Sequence, residues 1–395
     1  MSGSWESSIR QEGRVLAERH LFRSLTPTAD AALTHVIRGG RRLLNFSSNN
    51  YLGLSAHPEL QAALERAGAH GVGGVASRLI IGHSHELDEL EREIARFKGT
   101  EAALLFSNGY MANLGLLTAL LKPADAVFSD QYNHASIVDG IRLSGAKSYR
   151  YRHLNLDHLE TLLKRAEAKG IKRKLIVTDS VFSMDGDVAP LRELVWLKKK
   201  YDAALVLDEA HAAGVFGPHG EGMAHHLGVA DEIDLHMGTF SKAFGVYGAY
   251  VAGRKTWIQY LVNRCRPLIY TTALPPVIVA AIRASLRLVQ SGHTLRQALH
   301  ERSAWFRQQL MEAGLSINGS TTQIVPWVVG GSERALKLSQ ALAEQGVLAV
   351  AIRPPTVPEG ASRLRFSLMA THTQADLIRA VEAVRKACRG KEAGG

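Results

Sequence analysis

Between about residues 100 and 255 the chain alternates short apolar runs with longer stretches whose apolar residues recur every three to four positions. The runs read AALLFSNG, AVFSD, KLIVTDS, ALVLDEAH, LHMGTFS and GAYVAG. Their length and continuity predict strands buried on both faces, and the intervening periodicity predicts helices that cover them. Such alternation specifies an α/β fold with a mostly parallel sheet, whose ligand groups emerge at the carboxyl ends of the strands. Residues 1–48 combine a basic amphipathic segment with RLLNFSSNNYLGL, whose Ser, Asn and Gly content predicts an ordered turn leading inward. From about residue 277 a single long helix is expected, then strands near QIVPWVVG and RLRFSLM and a last helix over 373–389. The expected organisation is an N-terminal segment (1–48), a large domain (49–283) and a smaller α+β domain (284–395), with no internal repeat or coiled-coil heptad.

Composition changes this picture little. The chain has 395 residues, 46 % of them hydrophobic, which suits a globular protein. Its two cysteines, Cys265 and Cys388, form neither a disulfide framework nor a zinc motif, and the N-terminus carries no secretory signal pattern, so the expectation is a cytoplasmic protein with no membrane segment. A net charge of +10 admits an acidic partner. The densest basic run, KGIKRK at Lys169–Lys174, separates a helical stretch from a strand and reads as a solvated turn, so nucleic acid is not expected.

Chemistry concentrates at three places. Lys242, in GTFSKAFG, is surrounded by small and apolar residues, where an amine loses water and becomes available as a nucleophile or base. Asp208 and His211, in VLDEAHAAG, follow a strand; a carboxylate there can pair with a cationic ring nitrogen of a ligand. The same letters occur in helicases, but the GxxxxGK[ST] loop which that chemistry requires is absent. Asn108, Gly109 and Tyr110 join an apolar strand to a helix, a geometry that offers backbone N–H groups to a phosphate. The 17 histidines include no pair with helical zinc spacing, so no metal is expected. An amine, a ring-nitrogen partner and a phosphate cradle are together the parts that hold pyridoxal phosphate.

With those parts in place, the chain resembles the α-oxoamine synthases, fold type I pyridoxal-phosphate enzymes that condense an amino acid with an acyl thioester. The resemblance runs through NFSSNNYLGL (from Asn45), GYMAN (Gly109), NHAS (Asn133), DSVFSMDGDVAPL (Asp179), LDEAHAAGVFG (Leu207), GTFSKAFGVYGAYVAG (Gly238), LIYTTALPP (Leu268) and RPPTVPEGASRLRFSLMATHT (Arg353). It implies that Lys242 is the Schiff-base lysine, that Asp208 pairs with the pyridine nitrogen, and that His134 stacks on the ring. His211 and Ser183 would face the phenolic oxygen. Asn108, Gly109, Tyr110, Thr239 and, from a second subunit, Thr272 would meet the phosphate. Arg365 would clamp the amino-acid carboxylate, with Asn49 and Arg353 nearby, and Arg23 is a candidate for the donor channel. The implied assembly is a homodimer with shared active sites.

Within the family, the Asp-Glu-Ala-His form of the Asp208 motif and RPPTVPEGASRLR resemble the branch that joins L-alanine to a pimeloyl thioester, carried on coenzyme A or a carrier protein, with loss of carbon dioxide. The alternative is the branch that uses glycine and acetyl coenzyme A. Two positions depart from the family pattern: Ser241 and Ala76 stand where glycine is more usual, adding a hydroxyl beside Lys242 and restricting the backbone before Ser77.

Overall fold

The computed structural model describes residues 3–389. They divide into two compact units, a larger one of residues 50–183 and 187–297, and a smaller one of residues 3–49, 184–186 and 298–389. This differs from the expected organisation, whose outermost residues, 1–2 and 390–395, lie outside the described ones. The N-terminal residues belong with the C-terminal ones because Arg41–Asn45 pairs in parallel with Val347–Leu348. The amide of Phe46 continues that ladder to Leu348 O at 2.9 Å. The expected boundary at residue 283 falls inside the helix Pro276–Ser291, and the expected single long helix is two, interrupted at Gly292 before His293–Glu312.

The larger unit is built on seven strands: β1 (Ala102–Phe106), β2 (Ala126–Asp130), β3 (Lys147–Tyr151), β4 (Lys174–Asp179), β5 (Ala203–Asp208), β6 (Leu235–Thr239) and β7 (Ala249–Gly253). Their order is β1-β7-β6-β5-β4-β2-β3. All pairings are parallel except those of β7, which runs antiparallel to both β1 and β6. Six strands coincide with the six apolar runs. β3, KSYRY, escapes that reading because it is an edge strand with only Tyr151 fully buried. The parallel arrangement sets Asp130, Asp179 and Asp208 at the carboxyl ends of β2, β4 and β5, with Asp179 directly opposite Asp208.

Helices α1 (Gly109–Leu120) and α2 (Ala135–Ser144) follow β1 and β2. α1 is apolar on nearly every side and buries Leu116, Leu117 and Leu120 in a core with Phe106, Val127, Val177, Val206 and Met237. Each such large side chain contributes about 2 kcal/mol by leaving water, which makes β1–α1 a rigid base for the turn between them.

The smaller unit carries a four-stranded sheet, in the order Thr28–Ala29, His35–Arg38, Arg41–Asn45, Val347–Leu348, and a three-stranded antiparallel one, in the order Ile324–Gly330, Ser362–Ser367, Val350–Ile352. Phe46, Phe306 and Phe366 cluster in its interior with ring centroids 5.3–5.9 Å apart, Phe46 stacked on Phe306 and edge-on to Phe366. No described helix is long and apolar enough to cross a membrane.

Candidate active site

Lys242 lies in the turn that leaves β6. Its Nζ is 3.0 Å from His211 Nε2, and His211 Nδ1 is 2.7 Å from the hydroxyl of Tyr51. His211 and Tyr51 are buried and Lys242 half-buried, so the amine sits at the mouth of a chain that runs inward. When Lys242 is protonated it donates to Nε2, the ring proton then occupies Nδ1, and Nδ1 donates to the tyrosine oxygen.

Asp208 ends β5 with 3 % of its surface exposed. One oxygen accepts from the amide of Ala210 (2.8 Å), the other from Asn113 Nδ2 on α1 (2.8 Å). Both donors are neutral, so neither cancels the carboxylate's charge. Asn113 Nδ2 also reaches Ser136 Oγ (3.0 Å), which lies 2.8 Å from His134 Nδ1. His134 caps α2 and remains exposed, yet loss of water around its ring pushes the imidazole below its ordinary pKa, against the pull of Asp208 and with the push of Lys242. Its amide donates to Asp179 (2.8 Å), whose carboxyl is raised by burial first and by the neighbouring Asp208 second.

At the start of α1, Asn108 Oδ1 accepts from the amide of Met111 (2.9 Å) and caps the helix. The N–H groups of the first turn have no acceptor within a helix. A Cβ added to Gly109 would meet nothing nearer than 3.8 Å, at Met237 and Thr239. The packing of the protein therefore does not demand glycine there, and the bare backbone is open to the close approach of an anion. The Tyr110 hydroxyl is bonded to Asp139, which leaves its backbone for an anion. Thr239 Oγ1 donates to Gly248 O (2.9 Å) and lies 2.6 Å from Ser241 Oγ. The unusual hydroxyl at 241 thus bonds the threonine rather than the lysine amine. Ser183 is half-buried in the turn closed by the Val181–Val188 bridge. Thr272 is exposed and pairs with Ser77. Ala76 fits this segment without strain, its carbonyl accepting from Ala273 N at 2.9 Å; the glycines that packing requires here are Gly74 and Gly82, where a Cβ would come within 2.3 Å of Ala273 O and of Ala76 O respectively.

In the smaller unit, Arg365 is buried and its Nη1 donates to Asn49 Oδ1 (3.1 Å) and Ser367 Oγ (2.7 Å), which brings two of the expected substrate residues together. Arg353 instead donates to the carbonyls of His20 and Phe22, while Arg23 donates to Pro354 O (3.0 Å). These contacts make both arginines anchors of the N-terminal segment.

One residue past Asp208, Glu209 is fully enclosed. It accepts from Lys98 Nζ (2.6 Å), lies 3.0 Å from His236 Nδ1 and accepts from the amide of Ala224 (3.1 Å). Burial raises its pKa, but Lys98 and His236 outweigh that and hold it far below the ordinary value. The donor set of the larger unit, namely an amine, a buried carboxylate with neutral partners, an exposed imidazole and an open helix start beside a hydroxyl pair, fits pyridoxal phosphate.

The comparisons with known proteins bear on the same point. The family model "Aminotransferase class I and II" matches residues 41–384. A Bacillus cereus (strain Q1) protein named "Putative 8-amino-7-oxononanoate synthase" is 49 % identical over 97 % of each chain. An SPT structure with a PLP internal aldimine superposes with a TM-score of 0.90 at 32 % identity over 97 % of each chain. The 8-amino-7-oxononanoate synthase of Francisella tularensis gives 0.78 at 29 % identity, over 89 % of this chain and 99 % of that one. The chain belongs to the α-oxoamine synthases of the class I and II aminotransferase family. It is a fold type I enzyme that transfers acyl groups, and its cofactor is pyridoxal phosphate.

Sequence reasoning does not single out Tyr51, Asn113 or Ser136. Each lies in or beside a quoted motif, NNYLGL, GYMAN or NHAS, but only the fold reveals that these side chains turn toward His211, Asp208 and His134.

Proposed function

We propose that this α-oxoamine synthase joins L-alanine to a pimeloyl thioester, releasing the thiol and carbon dioxide and giving 8-amino-7-oxononanoate, the aminoketone of biotin synthesis. The observation that carries the reading is the 49 % identity, over nearly the full length, to relatives bearing that name. When bound, pyridoxal phosphate supplies an electron sink for the carbanion formed at the amino acid's α-carbon. In this reading Lys242 anchors the cofactor and then moves the α-proton at Nζ. His211 and Tyr51 orient that amine and, with Ser183, serve the cofactor's phenolic oxygen. Asp208 holds the ring nitrogen protonated, and His134 covers the ring. Asn108, Gly109 and Tyr110 bind the phosphate through the open first turn of α1, joined by the Thr239 hydroxyl once its proton turns from Gly248 O to the anion. Arg365, oriented by Asn49, takes the amino-acid carboxylate with its planar fork.

The enzyme acts in this reading as a cytoplasmic homodimer, with Thr272 reaching the partner's phosphate. Support comes from one exposed stretch of the larger unit, where Val72, Val75, Ile80 and Ile81 are each more than 70 % exposed and Tyr270 is 70 % exposed. A patch of that kind is a protein-binding surface. Thiol release measured with pimeloyl coenzyme A and L-alanine, against glycine with acetyl coenzyme A, tests the substrate assignment. The expected result is turnover with the first pair and little with the second; the reverse preference overturns it.

A further inference from the structure

The bonds around Asn113 fix where protons sit as well as where side chains lie. The group of Asn113 facing the Asp208 oxygen at 2.8 Å is its NH2, which donates to it. That nitrogen also lies 3.0 Å from Ser136 Oγ, so its two hydrogens are committed, one to Asp208 and one to Ser136. On the other side of Ser136, its backbone amide points at His134 Nδ1 at 3.3 Å. A backbone N–H only donates, so Nδ1 is an unprotonated acceptor. The Ser136 hydroxyl, 2.8 Å from the same nitrogen, therefore donates to it as well. The single proton of the neutral ring is left on Nε2.

Asn113 and Ser136 are 1 % and 0 % exposed, so water does not substitute for either. Among the described residues Asn113 Oδ1 has no hydrogen-bond partner. A leucine would fill an apolar helix face without that cost, so stability alone does not account for the amide.

We propose that Asn113 and Ser136 are positioning residues that hold His134 as the Nε2–H tautomer, making it a hydrogen-bond donor to the carbonyl oxygen of the acyl thioester and not a base. The identity of the receiving oxygen rests on the function proposed above; the tautomer does not. The relay also ties the donor to Asp208, because Asn113 is oriented by that carboxylate.

The test is a long-range proton–nitrogen correlation spectrum of the full-length protein labelled with 15N-histidine, with the His134 signals assigned by their loss in His134→Asn. Near neutral pH the wild type is expected to show a protonated Nε2 and an unprotonated Nδ1, both with pyridoxal phosphate and after its removal. Ser136→Ala, a small change that leaves the core volume intact, removes the 2.8 Å hydroxyl bond and leaves only the longer 3.3 Å one from the backbone amide to hold Nδ1 unprotonated, so a substantial Nδ1–H population is expected to appear. It should lower kcat with the acyl thioester by about tenfold while leaving the KM for the amino acid unchanged. Ser136→Thr retains the hydroxyl and should restore both. A wild-type ring protonated at Nδ1, or a Ser136→Ala ring with unaltered tautomer, overturns the proposal. Failure of the protein to take up pyridoxal phosphate would instead strike at the proposed function, since the spectrum of the cofactor-free protein decides the tautomer by itself.

Discussion

Asp208 and Glu209 are consecutive, both carboxylates and both buried, yet the fold treats them in opposite ways. Glu209 is saturated by a lysine, a histidine and an amide. Asp208 receives two bonds from neutral donors, an amide and a carboxamide. Enclosing a carboxylate is expensive, and the expense is recovered at Glu209 within the protein by Lys98, with neither side chain of the pair exposed. At Asp208 the geometry is fixed but the charge is left for a cation that no described residue supplies as a bonded partner. The lesson is that burial of an acid does not mark a site; burial with neutral partners does.

The contrast predicts that damage at the two positions falls on different observables. Asp208→Asn keeps the shape and removes the charge, so kcat/KM should fall on the order of 10³-fold, with the thermal midpoint moved by no more than a few degrees. Equal losses of activity and stability in that variant would erase the distinction. Lys98→Met should do the reverse: it strands Glu209 and costs about 3–5 kcal/mol of unfolding free energy in a denaturant titration. Protein that remains folded should still bind the cofactor, and adding Glu209→Gln should recover most of the loss. Failure of the second change to rescue would mean that Lys98 acts through packing.

The pH dependence sharpens the same comparison. The depressed pKa of Glu209 means that its stabilisation is complete above about pH 4.5 and is lost as pH falls through the folded value. His153 gives the opposite sign. Burial alone would lower it, but its bonds to Asp130 (2.9 Å) and Asp187 (2.7 Å) prevail and raise it to about 9. Its contribution is therefore full below about pH 6.5 and lost as pH rises through 9, a loss of up to about 3 kcal/mol. Thermal midpoints recorded across that interval should decline on the alkaline side, and His153→Gln should flatten the decline. The smallest effect is expected at Ser241→Gly, which removes the bond to Thr239: pyridoxal phosphate affinity, read by absorbance titration, should change by no more than about threefold. A larger change would place Ser241 among the phosphate ligands.

Much of this was legible in the sequence because the reactive groups lie in strand-end turns, where a short apolar run followed by Asp, His or Lys is a local signal. Lys242, Asp208 and His211 are of that kind. The relay through Asn113 and Ser136 was not legible, since Asn113 lies on a helix that is apolar nearly all round and its orientation is set by α1 packing on the sheet. Lys98 and Glu209 are separated by 111 positions and join only through the fold. β3 was hidden by its edge location, and the attachment of the N-terminal strand to Val347–Leu348 was hidden because parallel pairing across 300 residues leaves no periodic trace.

The most direct test of the central claim uses pyridoxal phosphate labelled with 15N in its ring. Bound to the wild-type protein at mildly alkaline pH, the ring nitrogen should show the chemical shift of a protonated pyridinium, and bound to Asp208→Asn that of a neutral pyridine. An unprotonated nitrogen in the wild type, or the same shift in both proteins, would contradict the account.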